Sequence, residues 1–429
     1  MRPTDNRGHL RSLVGKFGWT LFAQVFGRMA GFLAAIGLAR VLPIEGFGAY
    51  ALLQSTLLML QAVAMFGLGT TSTKYVAELR HRDLERTAQI IMFCLAVGAA
   101  IGICLGAGLF ISAEDLSRIV LGDSELLRIP MRITALAVPI MTVTAIGQGV
   151  IAGFESFDQL ARTSTAAGVM SLLLLPLGGY LGGLEGASTA FLAVQVVVAV
   201  YTLRMLAKIC AVGGVRLSEG ARPTHWKEGK LFWGFSAPTA LLTFIVWPTQ
   251  FLGNAILAHQ GAAELAVYNA AIQITSSLLL LSEALGQVVL PLFASAAGKG
   301  IAAAPLLARI TYASLAVTVP LVLFMGVGAE LLMGLFGEKY VGGATTLVPL
   351  LLTVVVVATQ TPVGKYLQAK GVAITLALAT LLWAIIHIAP FWYFADIGAP
   401  ALAAARLLAF SVHTLVLAGL LGMYWRTEH

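Results

Sequence analysis

Charged and amide side chains set inside long apolar runs are the residues of this chain that can do chemistry, because each must find a partner or water there. Arg28 is the first of them. It lies about 18 Å past Lys16 along a helix rising 1.5 Å per residue, near the middle of a bilayer. A guanidinium binds phosphate in bidentate fashion, so Arg28 can form an anion site for a phosphate-bearing substrate. It can equally be a structural cation satisfied by backbone carbonyls or a carboxylate. Glu283 is the acid set furthest into an apolar run. It can pair with Arg28 as a gate, bind a coupling cation, or sit as a helix-end carboxylate near the headgroups. The uncharged set is larger: Gln24, Gln54, Gln61, Gln250, Asn254, Asn269 and Gln273. These amides belong to the first, second, seventh and eighth apolar runs. They either line one wet cavity that takes a polar substrate or tie helix to helix, and the cavity is the economical account. Arg406 is expected to snorkel towards a headgroup region, Lys365 to mark topology, and His387 and His413 to be hydrogen-bonded core residues.

Other chemistries find no support. No Gly-rich loop ends in Gly-Lys-Ser/Thr, and no His-Glu-x-x-His, paired-cysteine or nucleophile-elbow motif occurs. Cys94, Cys104 and Cys210 form neither a disulfide framework nor a metal-ligand spacing. No cofactor, metal or nucleic acid is expected as a partner, and a transporter is favoured over an enzyme.

The elements that must position these residues are membrane helices. With 59% hydrophobic and 11% charged residues, the chain falls outside the soluble class. Twelve spans are expected, at 17–42, 47–71, 87–111, 131–152, 161–181, 187–207, 231–257, 266–292, 305–328, 345–366, 372–394 and 400–424. The apolar run after the basic N-terminus is too long for a signal peptide and is expected to be retained. Lysines and arginines gather in alternate loops, at Arg2–Lys16, Lys74–Arg86, Arg204–Lys230 and Arg426 among others. The opposite loops hold Arg40, Arg118, Arg128, Arg132 and Lys339. The positive-inside rule then puts both termini in the cytoplasm. The basic stretch 208–230 divides an N-terminal six-helix lobe (1–207) from a C-terminal one (231–429), as their connector.

An internal duplication accompanies this division. Phe47-Gly-Ala-Tyr50 lines up with Leu265-Ala-Val-Tyr268, each opening a span after a short turn, and Gly46 then falls opposite Glu264. Pro43 and Gly46 are expected to stop one helix and let the chain reverse. Near the end of each half, Gly-Leu-Glu-Gly-Ala-Ser (183–188) echoes Asp-Ile-Gly-Ala-Pro (396–400), with Gly186-Ala187 matched to Gly398-Ala399. Duplicated bundles with a substrate site between them are a common build of secondary transporters. Gly27-x-x-x-Gly31 and Gly102-x-x-x-Gly106 are expected to be close-packing motifs.

Gly27-Arg-Met-Ala-Gly-Phe, Ala39-Arg-Val-Leu-Pro-Ile-Glu-Gly-Phe-Gly-Ala-Tyr50 and Lys74-Tyr-Val-Ala-Glu78 resemble the N-terminal signature of bacterial polysaccharide biosynthesis proteins. These are the oligosaccharide-lipid flippases of the superfamily that also holds MATE drug exporters and lipid II flippases. The resemblance implies a MATE-like, all-α membrane fold of two pseudo-symmetric six-helix lobes in the bacterial inner membrane. It implies alternating access and an undecaprenyl-diphosphate-linked oligosaccharide as substrate. It also implies a diphosphate-binding role for Arg28, with a polysaccharide polymerase and chain-length machinery as possible partners. The first run has no Asp or Glu, where the drug exporters place a coupling carboxylate. The seventh has no charge, where lipid II flippases carry arginine. A cation-coupled drug exporter is the alternative reading, and a membrane polymerase or ligase of the same precursors a more distant one.

Overall fold

A computed structural model describes residues 25–121, 125–220, 236–279, 303–369 and 372–428, and the regular elements among them are all helical. Gln24 and Glu283 lie outside the described residues, as do 221–230 of the expected connector. The helices are α1 (25–41), α2 (Ile44–Met65), α3 (Leu68–Leu79), α4 (Leu84–Leu121), α5 (Arg128–Ala135), α6 (Ala137–Gly153) and α7 (Phe157–Val212). The second half supplies α8 (Ala237–Gln260), α9 (262–279), α10 (Ala303–Val327), α11 (Ala329–Gly334), α12 (Ala344–Ala369), α13 (Ala373–Tyr393) and α14 (Ala399–Glu428). Nine segments among the described residues are long and apolar enough to cross a membrane. α7 holds two of the twelve expected spans, joined across Gly182–Gly183. The expected spans 17–42 and 266–292 lie partly outside the described residues.

Helix boundaries depart from hydropathy where the backbone, rather than side-chain polarity, ends the helix. The expected span 47–71 is interrupted at Phe66 and Gly67, both at positive φ (39° and 73°). The left-handed pair ends α2, and the Gly67 carbonyl then accepts from the Thr71 N–H as α3 begins. Conversely, α7 runs unbroken by composition through the expected gap at 182–186. Its one interruption is Gly182–Gly183, where Gly183 takes φ 56°, ψ −137°. Gly398 takes nearly the same values, φ 78°, ψ −144°. Side chains are effectively barred from this region. The structural match is therefore Gly183 with Gly398, three residues away from the pairing with Gly186 that the sequence suggests.

The repeated hairpin is confirmed in its backbone. The Phe47 N–H donates to the Pro43 carbonyl (3.0 Å), and the Leu265 N–H donates to the Gly261 carbonyl (3.3 Å). Phe47 and Leu265 are the residues that the sequence alignment places opposite one another. Gly46 lies within the first turn of α2, so Pro43 alone serves as the stop.

The described residues group into two compact units. One comprises residues up to Leu38 with Thr56–Leu116 and Glu125–Phe244; the other comprises Ala39–Ser55, Ser117–Ser124 and Ile245 onward. In the first unit, small residues let helices approach. A Cβ on Gly168 would strike the backbone of Gly27, where α1 crosses α7. A Cβ on Gly102 would lie 2.9 Å from Pro139 Cα, and one on Gly106 2.8 Å from the Ala135 carbonyl oxygen, so this pair of glycines packs as expected. Gly31 has nothing within 4 Å, so only Gly27 of its motif makes a close crossing. Cys94 and Cys210 are buried and Cys104 is exposed, and none of the three is in a disulfide.

In the second unit α14 packs on α12 and α13, and α10 packs on α12. The start of α2 belongs to this unit. Gly48 sits so close to the backbone of Ala262 that a Cβ has no room, and the two equivalent hairpins meet there. Beside this contact, Phe47, Phe336 and Tyr340 are almost wholly buried, with ring centroids 6.0–6.3 Å apart. Two cations fasten the same end: Arg40 Nε donates to the Leu335 carbonyl (2.8 Å) and Lys339 Nζ to the Leu42 carbonyl (2.7 Å).

Candidate functional site: a cationic cavity in the second unit

Four helices of the second unit bring polar side chains to one level. Gln250 and Asn254 are one turn apart on α8. Leu265, Tyr268, Asn269 and Ile272 recur at i, i+3, i+4 and i+7 on α9, which places them on one face. These residues, with His387 of α13 and Arg406 of α14, line a cavity of about 40 Å³, room for a few water molecules. The level is set by two tight turns. Gly261 joins α8 to α9, and Gly398 opens α14. Glu264 holds the turns together: its Oε2 accepts from the Ala399 N–H at 2.8 Å. A carboxylate at the start of α14 also meets the positive end of that helix dipole. Asn254, Asn269 and Arg406 each lie about 10–12 Å along their helices from these turns, at 1.5 Å per residue.

Arg406 is the centre of the site. Its guanidinium stands beside the Tyr268 hydroxyl and lies 5.5 Å from the Phe410 ring centroid, within the range of cation–π attraction. It turns into the bundle, where a snorkelling side chain would turn to the headgroups. The interior position matches what an intramembrane arginine requires, because a lipid-facing one costs several kcal/mol. His387 is 1% exposed. Its ring stacks on Trp383 at 5.4 Å and 4°, while Trp383 meets Phe410 edge-on at 5.3 Å. His387 Nδ1 has no hydrogen-bond partner. His413 is buried as well, and neither of its ring nitrogens has a partner. Both histidines are thus in the core, without the hydrogen bonds expected for Nδ1 of either.

The other sequence-designated residues fall as follows. Asn254 and Asn269 line the cavity. Gln273 is half-buried one turn beyond Asn269 on α9. Gln54 donates to the Tyr50 hydroxyl at 2.7 Å, and Gln61 donates to the Met141 carbonyl at 3.1 Å. The Gln61 bond ties α2 to α6 and is the interhelical kind; the Gln54 bond stays within α2. Of the seven amides, Gln250, Asn254 and Asn269 line the cavity, while Gln54 and Gln61 make the bonds just given. Arg28 lies exposed on α1, one residue after the Gly27 crossing with α7.

Sequence reasoning set Arg406 and His387 aside. Their spacing offered a partial signal: Arg406 stands eight residues after Gly398 and Phe410 one turn beyond it. A helix apolar on every face hides which side of it a lone cation occupies.

Comparison with known proteins places this geometry in a family. The family model described as "Polysaccharide biosynthesis protein" matches residues 13–297. The EPS I polysaccharide export inner membrane protein EpsE of Ralstonia solanacearum is 26% identical over 280 residues, 65% of this chain and 62% of that protein. Stage V sporulation protein B of Bacillus subtilis (strain 168) is 26% identical over 154 residues, 36% of this chain and 30% of that protein. The matched regions span less than two thirds of either relative. Among solved structures, an inward-facing multidrug resistance MATE family transporter of the MOP superfamily superposes with a TM-score of 0.77 at 15% identity, over 91% of this chain and 92% of that one. The lipid II flippase MurJ, in an inward closed conformation, gives 0.75 at 14% identity over 94% and 87%. At such identities the likeness is one of fold. The chain is a multi-pass membrane protein of the polysaccharide biosynthesis protein family, on the helical fold that MATE transporters and MurJ share.

Proposed function

We propose that this protein is an inner-membrane flippase that moves an undecaprenyl-diphosphate-linked oligosaccharide from the cytoplasmic to the outer leaflet. The family match over residues 13–297 carries the reading. A polysaccharide export protein among the relatives and a lipid II flippase among the fold neighbours support it. The physical task is to carry a charged, hydrated headgroup past hydrocarbon, which is prohibitive without a polar path. Amides beside an arginine suit sugar hydroxyls and an anion. The halves 1–207 and 231–429, joined through 208–230 and with both termini cytoplasmic, rock to expose the headgroup path to each side in turn. The polyprenyl tail stays in lipid. Arg28 takes the diphosphate. A polymerase and chain-length machinery receive the product.

Lipid analysis of a strain lacking the protein, resolved by leaflet, tests this. A complete oligosaccharide-lipid confined to the inner leaflet is the expected result. Unchanged sugar lipids with normal surface polysaccharide would overturn it in favour of drug export, and single repeat units stranded in the outer leaflet would point to a polymerase. Arg28→Ala is expected to abolish complementation of that strain, with Arg28→Lys partly active; a fully active Arg28→Ala protein would remove the anion role.

A further inference from the structure

The cavity around Arg406 has a chemistry more specific than a polar path. Its polar lining is Arg406, Tyr268, three amides and His387, and no carboxylate is among the residues that line it. Arg406 meets Tyr268, a neutral partner, so its charge is not neutralised within the lining. His387 presents a second sign of an open place: it is almost fully buried, it borders the cavity, and its Nδ1 lacks a partner. Buried polar atoms are ordinarily satisfied by protein, water or ligand. A guanidinium has five N–H donors and no acceptor. Its uncompensated charge calls for an anionic acceptor.

Size and surroundings narrow that acceptor. About 40 Å³ admits a carboxylate or a few waters but neither two linked phosphates nor a sugar ring, so a carboxylate group alone enters and the rest of its molecule stays outside. Arginine pairs with a planar carboxylate through two parallel hydrogen bonds. The amides of Gln250, Asn254 and Asn269, which line the cavity, can donate to carboxylate oxygens beside the guanidinium. A cation-coupling site is disfavoured here, because a fixed positive charge repels a second one.

We propose that this cavity is a subsite for the carboxylate of an acidic sugar, a uronate, within the carried oligosaccharide. The assignment rests on the flippase reading and adds a class of cargo to it: a repeat unit that bears a carboxylate, held at Arg406 apart from the diphosphate. The same chemistry can come from free small anions, and the test separates the two sources.

The full-length protein in lipid nanodiscs is to be titrated with glucuronate, glucose and sodium chloride, reading thermal unfolding and bound ligand. Glucuronate is expected to raise the midpoint, glucose to leave it unchanged, and chloride at equal ionic strength to do no more than any salt. Arg406→Gln is expected to weaken glucuronate binding by about tenfold or more, the loss of one charge-assisted bond, with Arg406→Lys intermediate. Because Arg406→Gln can disturb packing, Asn254→Leu serves as a second variant; it keeps the cation, narrows the cavity, and is expected to weaken glucuronate as well. Equal stabilisation by chloride would overturn the sugar assignment in favour of a small-anion site, and so would a glucuronate effect that survives both variants. No effect of glucuronate on the native chain would overturn the subsite altogether. The leaflet analysis is independent. An accumulated oligosaccharide-lipid lacking any carboxylate would sink this inference and leave the flippase standing. Glucuronate binding without any accumulated sugar lipid would sink the flippase reading and reduce this inference to a carboxylate-binding cavity.

Discussion

The two hairpins share a backbone but not a chemistry. Tyr50 and Tyr268 occupy the same position after the same turn, and both are buried. The Tyr50 hydroxyl takes its hydrogen bond from Gln54, one turn along its own helix. The Tyr268 hydroxyl instead meets a guanidinium from the last helix. Counting from the tyrosines, Phe32, Ile36 and Ala51 stand where the second hairpin has Gln250, Asn254 and Asn269. Counting from Gly183 and Gly398, the buried Phe191 stands where the second half has Arg406. At these equivalent positions one copy has apolar residues and the other a cation with its amide company. The fold depends on features common to both copies. The chemistry sits where they differ.

Exchanging the differing residues should break the comparison most severely. Phe191→Arg puts a charge into an apolar site and is expected to cost several kcal/mol, seen as loss of folded protein from the membrane. Arg406→Phe is expected to leave the protein folded and inactive in complementation; an active Arg406→Phe protein would make the cavity incidental. Gly48→Val comes next, since a side chain there collides with the Ala262 backbone. The expected cost is about 1–3 kcal/mol, measured as a lowered midpoint of thermal unfolding. The matched glycines offer a finer test. Gly183→Ala and Gly398→Ala both force a side chain into a glycine-only conformation, about 1–3 kcal/mol each. Only at Gly398 does the new Cβ also meet the Glu264 carboxylate, while Gly183 has open space around it. Gly398→Ala is therefore expected to be the more destabilising; equal midpoints would mean that backbone strain alone decides. Smallest of all, Glu264→Gln keeps the acceptor for Ala399 and removes its charge, for about 0.3–1 kcal/mol.

Hydropathy made the twelve spans and the repeated hairpin legible, because a bilayer imposes a length on every crossing. Phe47 and Leu265 align in sequence and make the same first-turn hydrogen bond. The break at Phe66–Gly67 was not legible, since neither residue is polar and the interruption is one of dihedral angles. Small residues misled the alignment near 183–188: Gly186-Ala187 matches Gly398-Ala399 in letters, but Gly183 matches Gly398 in conformation. For the site, Asn254 and Asn269 were visible as amides in hydrocarbon. Gln54 and Gln61 looked the same in sequence and proved to be bonded elsewhere. Arg406 was visible as a cation but not as an inward one, because which way it faces is settled by the packing of α14 on α12 and α13.

The fastening at Arg40 and Lys339 has a consequence for how this end of the protein can be released. Both bonds run from a cation to a peptide carbonyl, and a carbonyl carries no net charge and takes up no proton in the range where carboxylates and imidazoles switch. Such a clasp is deaf to acidity and loses less to dissolved salt than an ion pair would. A transmembrane proton gradient has no handle on it. What unfastens it has to be movement transmitted through the helices.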